Sequence, residues 1–190
     1  MRALYLVILG RQGSGKGTQS LRIAETYGCI HVSTGDMLRA AVAEGTELGR
    51  QAADVMEAGH LVSDEIMNGI VAERLAKDDI SESGVLLDGF PRTADQADTL
   101  ERILAELDQE LTAAINLEVP VEVVTERMLA RRRDDDTPEA IRRRLSLYEE
   151  QTAPLLEWFA RHDLLETVDG RGSEEEVFER LVAVIDSRRG

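Results

Sequence analysis

Short apolar runs alternate along this chain with longer stretches of helical period. The runs Leu4 to Leu9, Ile30 to Ser33, Val85 to Asp88, Ala113 to Leu117 and Leu164 to Val168 are largely continuous rather than alternating, the pattern of strands buried on both faces. Between them, apolar residues recur at helical spacing with capping signals at the ends. These stretches are Lys16 to Tyr27, Met37 to Ala43, Glu47 to Ala58, Glu65 to Ala76, Thr93 to Leu107, Val121 to Arg131, Glu139 to Arg161 and Glu174 to Asp186. Strands alternating with helices predict an α/β fold with a parallel sheet covered on both faces. Two strand-to-strand connections exceed one helix. Residues 34 to 84 hold about three helices, and residues 118 to 163 hold two, separated by the charged stretch RRRDDDTPE. Both are expected to be excursions from the core.

Composition narrows the class. A chain of 190 residues is long enough for one domain with a proper core. Its net charge of −15 predicts a surface that repels nucleic acid and anionic membranes. The single cysteine, Cys29, rules out an internal disulfide and a cysteine-rich metal site, so no zinc is expected. The opening MRALYLVILG has too short an apolar run for a signal peptide, and no segment approaches the length of a membrane span. The expectation is a cytoplasmic monomer.

The stretch GRQGSGKGTQ, residues 10 to 19, follows the first strand and holds one of only two lysines, against 20 arginines. A buried strand followed by G-x-x-x-x-G-K, here Gly10 to Lys16, is the phosphate-cradling P-loop arrangement. Glycines let successive backbone N–H groups turn toward an anion, and the helix N-terminus behind them adds roughly half a positive charge. Lysine suits the position as a compact point charge on a thin stem, where a planar guanidinium would crowd the loop. Gly17 stands where most P-loops place a Mg²⁺-binding Ser or Thr, and Thr18 follows it.

Four further motifs accompany this loop in order: STGDMLR (Ser33 to Arg39), GHLVSDE (Gly59 to Glu65), DGFPRTADQA (Asp88 to Ala97) and DDTPEAIRRRL (Asp135 to Leu145). With them the chain resembles the adenylate kinase family of nucleoside monophosphate kinases over essentially its whole length. The resemblance implies a P-loop kinase fold with a five-stranded parallel sheet. It implies a core over 1–32, 63–130 and 141–190, a monophosphate-binding excursion over 33–62 and a very short lid over 131–140. It also implies ATP and AMP as substrates, ADP as product and Mg²⁺ as cofactor. Two departures stand out: Arg11-Gln12 replaces the small residue and proline usual in this loop, and the lid is short.

The resemblance assigns ATP to Gly13, Ser14, Gly15, Lys16, Gly17, Thr18 and Arg131, with Arg127 and Gly172 near the donor adenine. It assigns AMP to Thr34, Arg39, His60, Leu61, Val62, Gly89, Phe90, Pro91, Arg92, Gln96, Arg133 and Arg144. Among these, Lys16, Arg92, Arg133 and Arg144 carry the catalytic charge. Physical chemistry supports the same residues. Asp88, at the end of a buried strand, can hold hydrated Mg²⁺ through its waters; the lesser alternative is a strand-end turn or helix cap. Arg39 and Arg92 could each grip phosphate bidentately, whereas an arginine outside such motifs usually sits in solvent. Seven arginines fall between Arg127 and Arg144 against four acids, in a chain that is acidic overall. As a bare charge run this reads as a solvated face, and Arg132, Arg142 and Arg143 are read that way. His31, His60 and His162 share no metal or relay spacing.

The expected reaction is Mg-dependent, reversible phosphoryl transfer from ATP to AMP. Gln96 offers a donor and an acceptor that suit the adenine edge, and pyrimidine-preferring relatives usually carry Asn there and Ala in place of Thr34. The alternatives are a UMP/CMP kinase of the same fold, a P-loop kinase for a small metabolite, and a nucleotide-binding sensor without turnover.

Overall fold

The computed structural model describes residues 3–57, 62–131 and 137–189, leaving aside the side chains of residues 55–57 and of Arg131. Its strands are β1 (Leu4–Leu9), β2 (Ile30–Ser33), β3 (Gly84–Asp88), β4 (Ala113–Glu118) and β5 (Leu165–Asp169). They form one sheet in the order β2-β3-β1-β4-β5, with every pair parallel. Around it run α1 (Lys16–Tyr27), α2 (Thr34–Glu44), α3 (Glu47–Glu57), α4 (Asp64–Leu75), α5 (Asp78–Ser83), α6 (Ala94–Glu106), α7 (Val121–Arg131), α8 (Pro138–Arg161) and α9 (Glu174–Arg189). Among the described residues no helix is long and apolar enough to cross a membrane.

The continuous apolar run of β1 is explained by its central place, since all six residues are buried. Leu4, Leu6 and Ile8 pack into one layer with Ile23, Leu181 and Ile185. Tyr5, Val7 and Leu9 pack into the other with Leu100 and Phe159. Successive strand residues face opposite ways, so a strand covered on both sides must be apolar at every position. A third, smaller cluster of Val119, Val124, Met128, Ile141 and Leu145 clamps α7 to α8.

Several expectations from the sequence need correction. The helix expected from Met37 begins at Thr34, because the Ser33 hydroxyl caps it by accepting from the Asp36 backbone N–H at 3.2 Å. Among its described residues the segment 34–84 carries four helices rather than about three; the addition is α5, a six-residue helix with Ile80 as its buried residue. The helix expected from Glu139 begins at Pro138 behind a Thr137 cap. Of the segment assigned to the lid, Arg131 closes α7, residues 132–136 lie outside the described residues, and 138–140 form the first turn of α8. Of the excursion over 33–62, α2 and α3 are described and 58–61 are not.

The chain passes from β1 to the β2–β3 side of the sheet and later crosses to β4 on the other side. The carboxyl ends of β1, β3 and β4 therefore border the point where strand order reverses, which is where open parallel sheets bind ligands.

Candidate functional site

The loop between β1 and α1 is an open, glycine-rich turn leading into an uncapped helix N-terminus. Gly15, the residue before α1, is left-handed at φ 93°, and no side chain caps the helix. A Cβ on Gly15 or Gly17 would meet no heavy atom within 4 Å, so the loop is open there. Gly13, with φ 86°, is needed for a different reason: a Cβ would press on the Val124 carbonyl and Met128 at 3.0 Å. The glycines thus serve both an open cradle and close packing of the loop on α7.

Lys16 opens α1, and its Nζ donates to Oδ1 of Asp88, at the end of neighbouring β3, over 2.7 Å. His31 on β2 approaches from the other side, with Nε2 3.7 Å from Asp88 Oδ2, beyond hydrogen-bonding distance. Burial opposes ionisation of Asp88, yet His31 and the Lys16 ammonium outweigh it and hold the carboxyl below the ordinary carboxylate value. The result is an ionised oxygen donor at the edge of the cradle.

Among the described residues, each of the other predicted cations has an internal acceptor. Arg92 Nε donates to the Gly89 carbonyl at 2.9 Å, and its Nη2 stands 3.4 Å from the Thr34 hydroxyl. Arg144 on α8 lies 3.4 Å from Gln12 Oε1 in the loop. Lys16, Gly89, Pro91, Arg92 and Arg144 line one cavity of about 360 Å³ between the loop, the end of β3 and α8. Arg127 reaches the carbonyls of Ser14 at 3.2 Å and Gly170 at 3.4 Å, tying the loop to the turn after β5. A second cavity, of about 220 Å³, opens there beside Gly13, Ser14, Gly15, Thr18, Arg127 and Gly172. Arg39 is exposed on α2 and pairs with Asp36 at 2.5 Å. Ser33 and Arg39 hold the Asp36 carboxyl below its ordinary value.

Some predicted residues are placed differently from the rest. The Phe90 ring is buried in the core, so only its backbone can address a ligand. Val62 packs against the same core. Both ends of the Gln96 amide are engaged within the chain: Oε1 accepts from the Arg92 backbone N–H at 2.8 Å and Nε2 donates to Asp64 at 2.7 Å. His60, Leu61, Arg133 and the Arg131 side chain lie outside the described residues. A larger cavity, about 620 Å³, lies between α6 and the end of α8 against Leu100, Trp158 and Phe159, and holds none of these cations.

Sequence reasoning passed over three contributors. His31 shares no metal or relay spacing with the other histidines, and its nearness to Asp88 follows from β2 pairing with β3, with Ser33 opposite Asp88. Asp64 lies 32 residues from Gln96, a spacing that carries no local signal. Arg11 was noted only as a departure from the usual loop. Its guanidinium donates to the Val119 carbonyl at 3.2 Å, pairs with Glu149 on α8 at 3.1 Å and lies 5.8 Å from the Tyr148 ring centroid.

A family model described as Adenylate kinase matches residues 8–164. An adenylate kinase of Stenotrophomonas maltophilia (strain K279a) is 47% identical over 186 residues, covering 96% of this chain and 99% of that protein. Adenylate kinase 1 of Synechocystis is 46% identical over 180 residues, covering 95% of this chain and 96% of its own. The adenylate kinase of Thermodesulfovibrio yellowstonii is 39% identical over 216 residues, covering 97% of this chain and 100% of its own. That aligned stretch exceeds the 190 residues here, so that relative carries additional residues. The family model runs over the P-loop, Asp88, Arg92 and Arg144, the relatives cover nearly the whole chain, and this chain belongs to the adenylate kinase family of phosphotransferases.

Proposed function

We propose that this protein transfers the terminal phosphoryl group of ATP to AMP, reversibly, giving two ADP. The observation that carries the reading is the convergence of Lys16, Arg92 and Arg144 on one cavity at the mouth of an open phosphate cradle. A phosphate oxygen of AMP attacks the γ-phosphorus of ATP, the bond to the β,γ-bridging oxygen breaks, and ADP leaves. Such transfers need alignment and neutralised oxygens rather than covalent chemistry. The acceptor is mostly dianionic at pH 7, its second pKa lying near 6, so no general base is required.

Each cation has a defined part in this reading. Lys16 exchanges Asp88 for the β- and γ-phosphate oxygens and follows the transferred group. Arg39, Arg92 and Arg144 exchange internal acceptors for phosphate oxygens, with Arg133 joining them. Because these acceptors already hold the side chains near the crevice, ligand binding swaps partners rather than ordering free chains. Arg127 steadies the loop beside the cavity near Gly172, which suits the donor adenine, with Arg131 assigned to ATP.

The residues present fit Mg²⁺. Asp88 supplies an ionised oxygen, the hard donor this ion prefers, and Gly17 supplies no hydroxyl, so Asp88 would hold the ion through its waters. Bound there, the ion would neutralise charge on the donor phosphates.

Coupled assays of the purified protein with ATP, AMP and Mg²⁺ provide the test. Robust ADP formation is expected; efficient turnover with UMP or CMP instead would make it a pyrimidine nucleotide kinase, and nucleotide binding without turnover would make it a sensor.

A further inference from the structure

We propose that Asp64 sets the orientation of the Gln96 amide and thereby selects a 6-aminopurine over a 6-oxopurine in the acceptor monophosphate. The inference rests on the reading that Gln96 addresses the acceptor base.

A glutamine amide can turn by half a rotation with almost no change of shape, exchanging its donor end for its acceptor end. Left to itself, Gln96 could therefore present either pattern to a base. Two neighbours of opposite character remove the choice. The Arg92 backbone N–H can only donate, and it lies 2.8 Å from Oε1. The Asp64 carboxylate, when ionised, can only accept, and it lies 2.7 Å from Nε2. Reversal would set N–H against N–H and oxygen against carboxylate, losing both bonds at a site where Gln96 is only 6% exposed.

Both pins come from well-fixed backbone. Arg92 follows Pro91 in the turn after β3. Asp64 is the first residue of α4, behind the Ser63 cap, where a negative side chain also suits the helix dipole. Gln96 itself lies in the first turn of α6, its N–H taken by the Thr93 hydroxyl at 3.2 Å.

Once pinned, the amide keeps one N–H and one carbonyl lone pair. Adenine presents an acceptor at N1 beside a donor at its 6-amino group, which complements them. Hypoxanthine presents N1–H beside a 6-oxo group, the reverse pattern, and meets like against like. Asp64 is thus a positioning residue: it touches no substrate and acts through Gln96.

The test compares kcat/KM for AMP and for inosine 5′-monophosphate in the full chain at saturating ATP. The unmodified protein is expected to prefer AMP by about 10²-fold or more, as for sites whose buried polar groups would be left unpaired. Asp64→Ala should narrow that ratio by about tenfold, through a raised KM for AMP with KM for ATP unchanged. Asp64→Asn, whose carbonyl can accept the same bond, should return the ratio close to its original value. A purely structural tie between α4 and α6 would lower Tm without moving the ratio. Should Asp64→Ala fail to fold, Asp64→Ser, too short to reach Nε2, replaces it. If Gln96→Ala narrows the ratio while the Asp64 truncation does not, the role of Asp64 is overturned and base reading by Gln96 stands. If Gln96→Ala leaves the ratio unchanged, base reading fails and the proposal fails with it. Failure of Asp64→Asn to restore the ratio would also overturn the orientation argument.

Discussion

Lys16 and Asp88, 72 residues apart in sequence, meet at 2.7 Å where β1 and β3 end side by side. The pair holds the lysine of the P-loop against the carboxylate proposed to hold Mg²⁺, so the two charges neutralise one another in the ligand-free fold. Lys16→Ala should lower kcat by about 10²-fold or more, as for loss of a charge-stabilising donor. The fold should survive, because the side chain is partly exposed rather than packed in the core. Lys16→Arg should be impaired as well, since a planar fork does not replace a point charge. Steady-state kinetics alongside circular dichroism check both, and near-normal turnover in Lys16→Ala would remove the assigned role.

The same pair predicts a pH dependence of stability. The Asp88 carboxyl is held below its ordinary value in the folded state. Its contribution is therefore fully present above the unfolded value of about 4 and lost as pH falls through the lowered folded value. Asp88→Asn should melt below the unmodified protein by a constant margin from neutral pH down to about pH 5, and the margin should shrink below about pH 4. Thermal melts across that range decide it; a margin that grew on acidification would contradict the sign.

Arg127 bridges two backbone carbonyls, Ser14 in the cradle and Gly170 after β5. Each such bond contributes about 1 kcal/mol, so losing both in Arg127→Ala should raise KM for ATP by up to about 30-fold. The effect on KM for AMP should be much smaller. Titrating each substrate at saturating levels of the other separates the two, and an equal rise in both would place the effect elsewhere.

Arg11 stands where the resemblance leads one to expect a small residue, and it ties the cradle to β4's exit and to α8. Its bond to the Val119 carbonyl is the stronger tie, because Glu149 is half-exposed and its ion pair is screened. Arg11→Ala should lower Tm by about 2–4 °C, the shift that roughly 1 kcal/mol produces in a domain of this size. Glu149→Ala should barely change it. Calorimetry of the two variants checks the order; a larger loss from Glu149→Ala would reverse the assignment.

Removal of Mg²⁺ with a chelator should abolish turnover and leave thermal unfolding unchanged, because Asp88 is already satisfied by Lys16 in the ligand-free fold. Activity assays and melts with and without chelator test both halves, and a chelator-dependent drop in Tm would reveal a structural metal.

What the sequence determined by itself was local and repetitive. Leu4–Leu9 could be read as a doubly buried strand because every position is apolar, and α1 and α7 could be bounded because period and punctuation agree over more than ten residues. The cradle was legible for the same reason: Gly10 to Lys16 is one contiguous stretch whose backbone demands are written in its glycines. By contrast, α5 has six residues and one buried side chain, too little for a period to register. The start of α2 was hidden because Gly35 sits inside the helix, where the sequence reads as a loop.

Only the tertiary structure decided which residues meet. Strand order puts β1 between β3 and β4, which brings Lys16 to Asp88 and opens the shared cavity with Arg92 and Arg144, while the pairing of β2 with β3 brings His31 to the same carboxylate. Gln96 shows the division most clearly. Its type and place in the DGFPRTADQA segment were readable, but the direction of its amide depends on Asp64 and the Arg92 backbone. A side chain's propensity is carried by its neighbours in sequence, whereas hydrogen-bond direction and charge pairing depend on distances across the fold that no local pattern encodes.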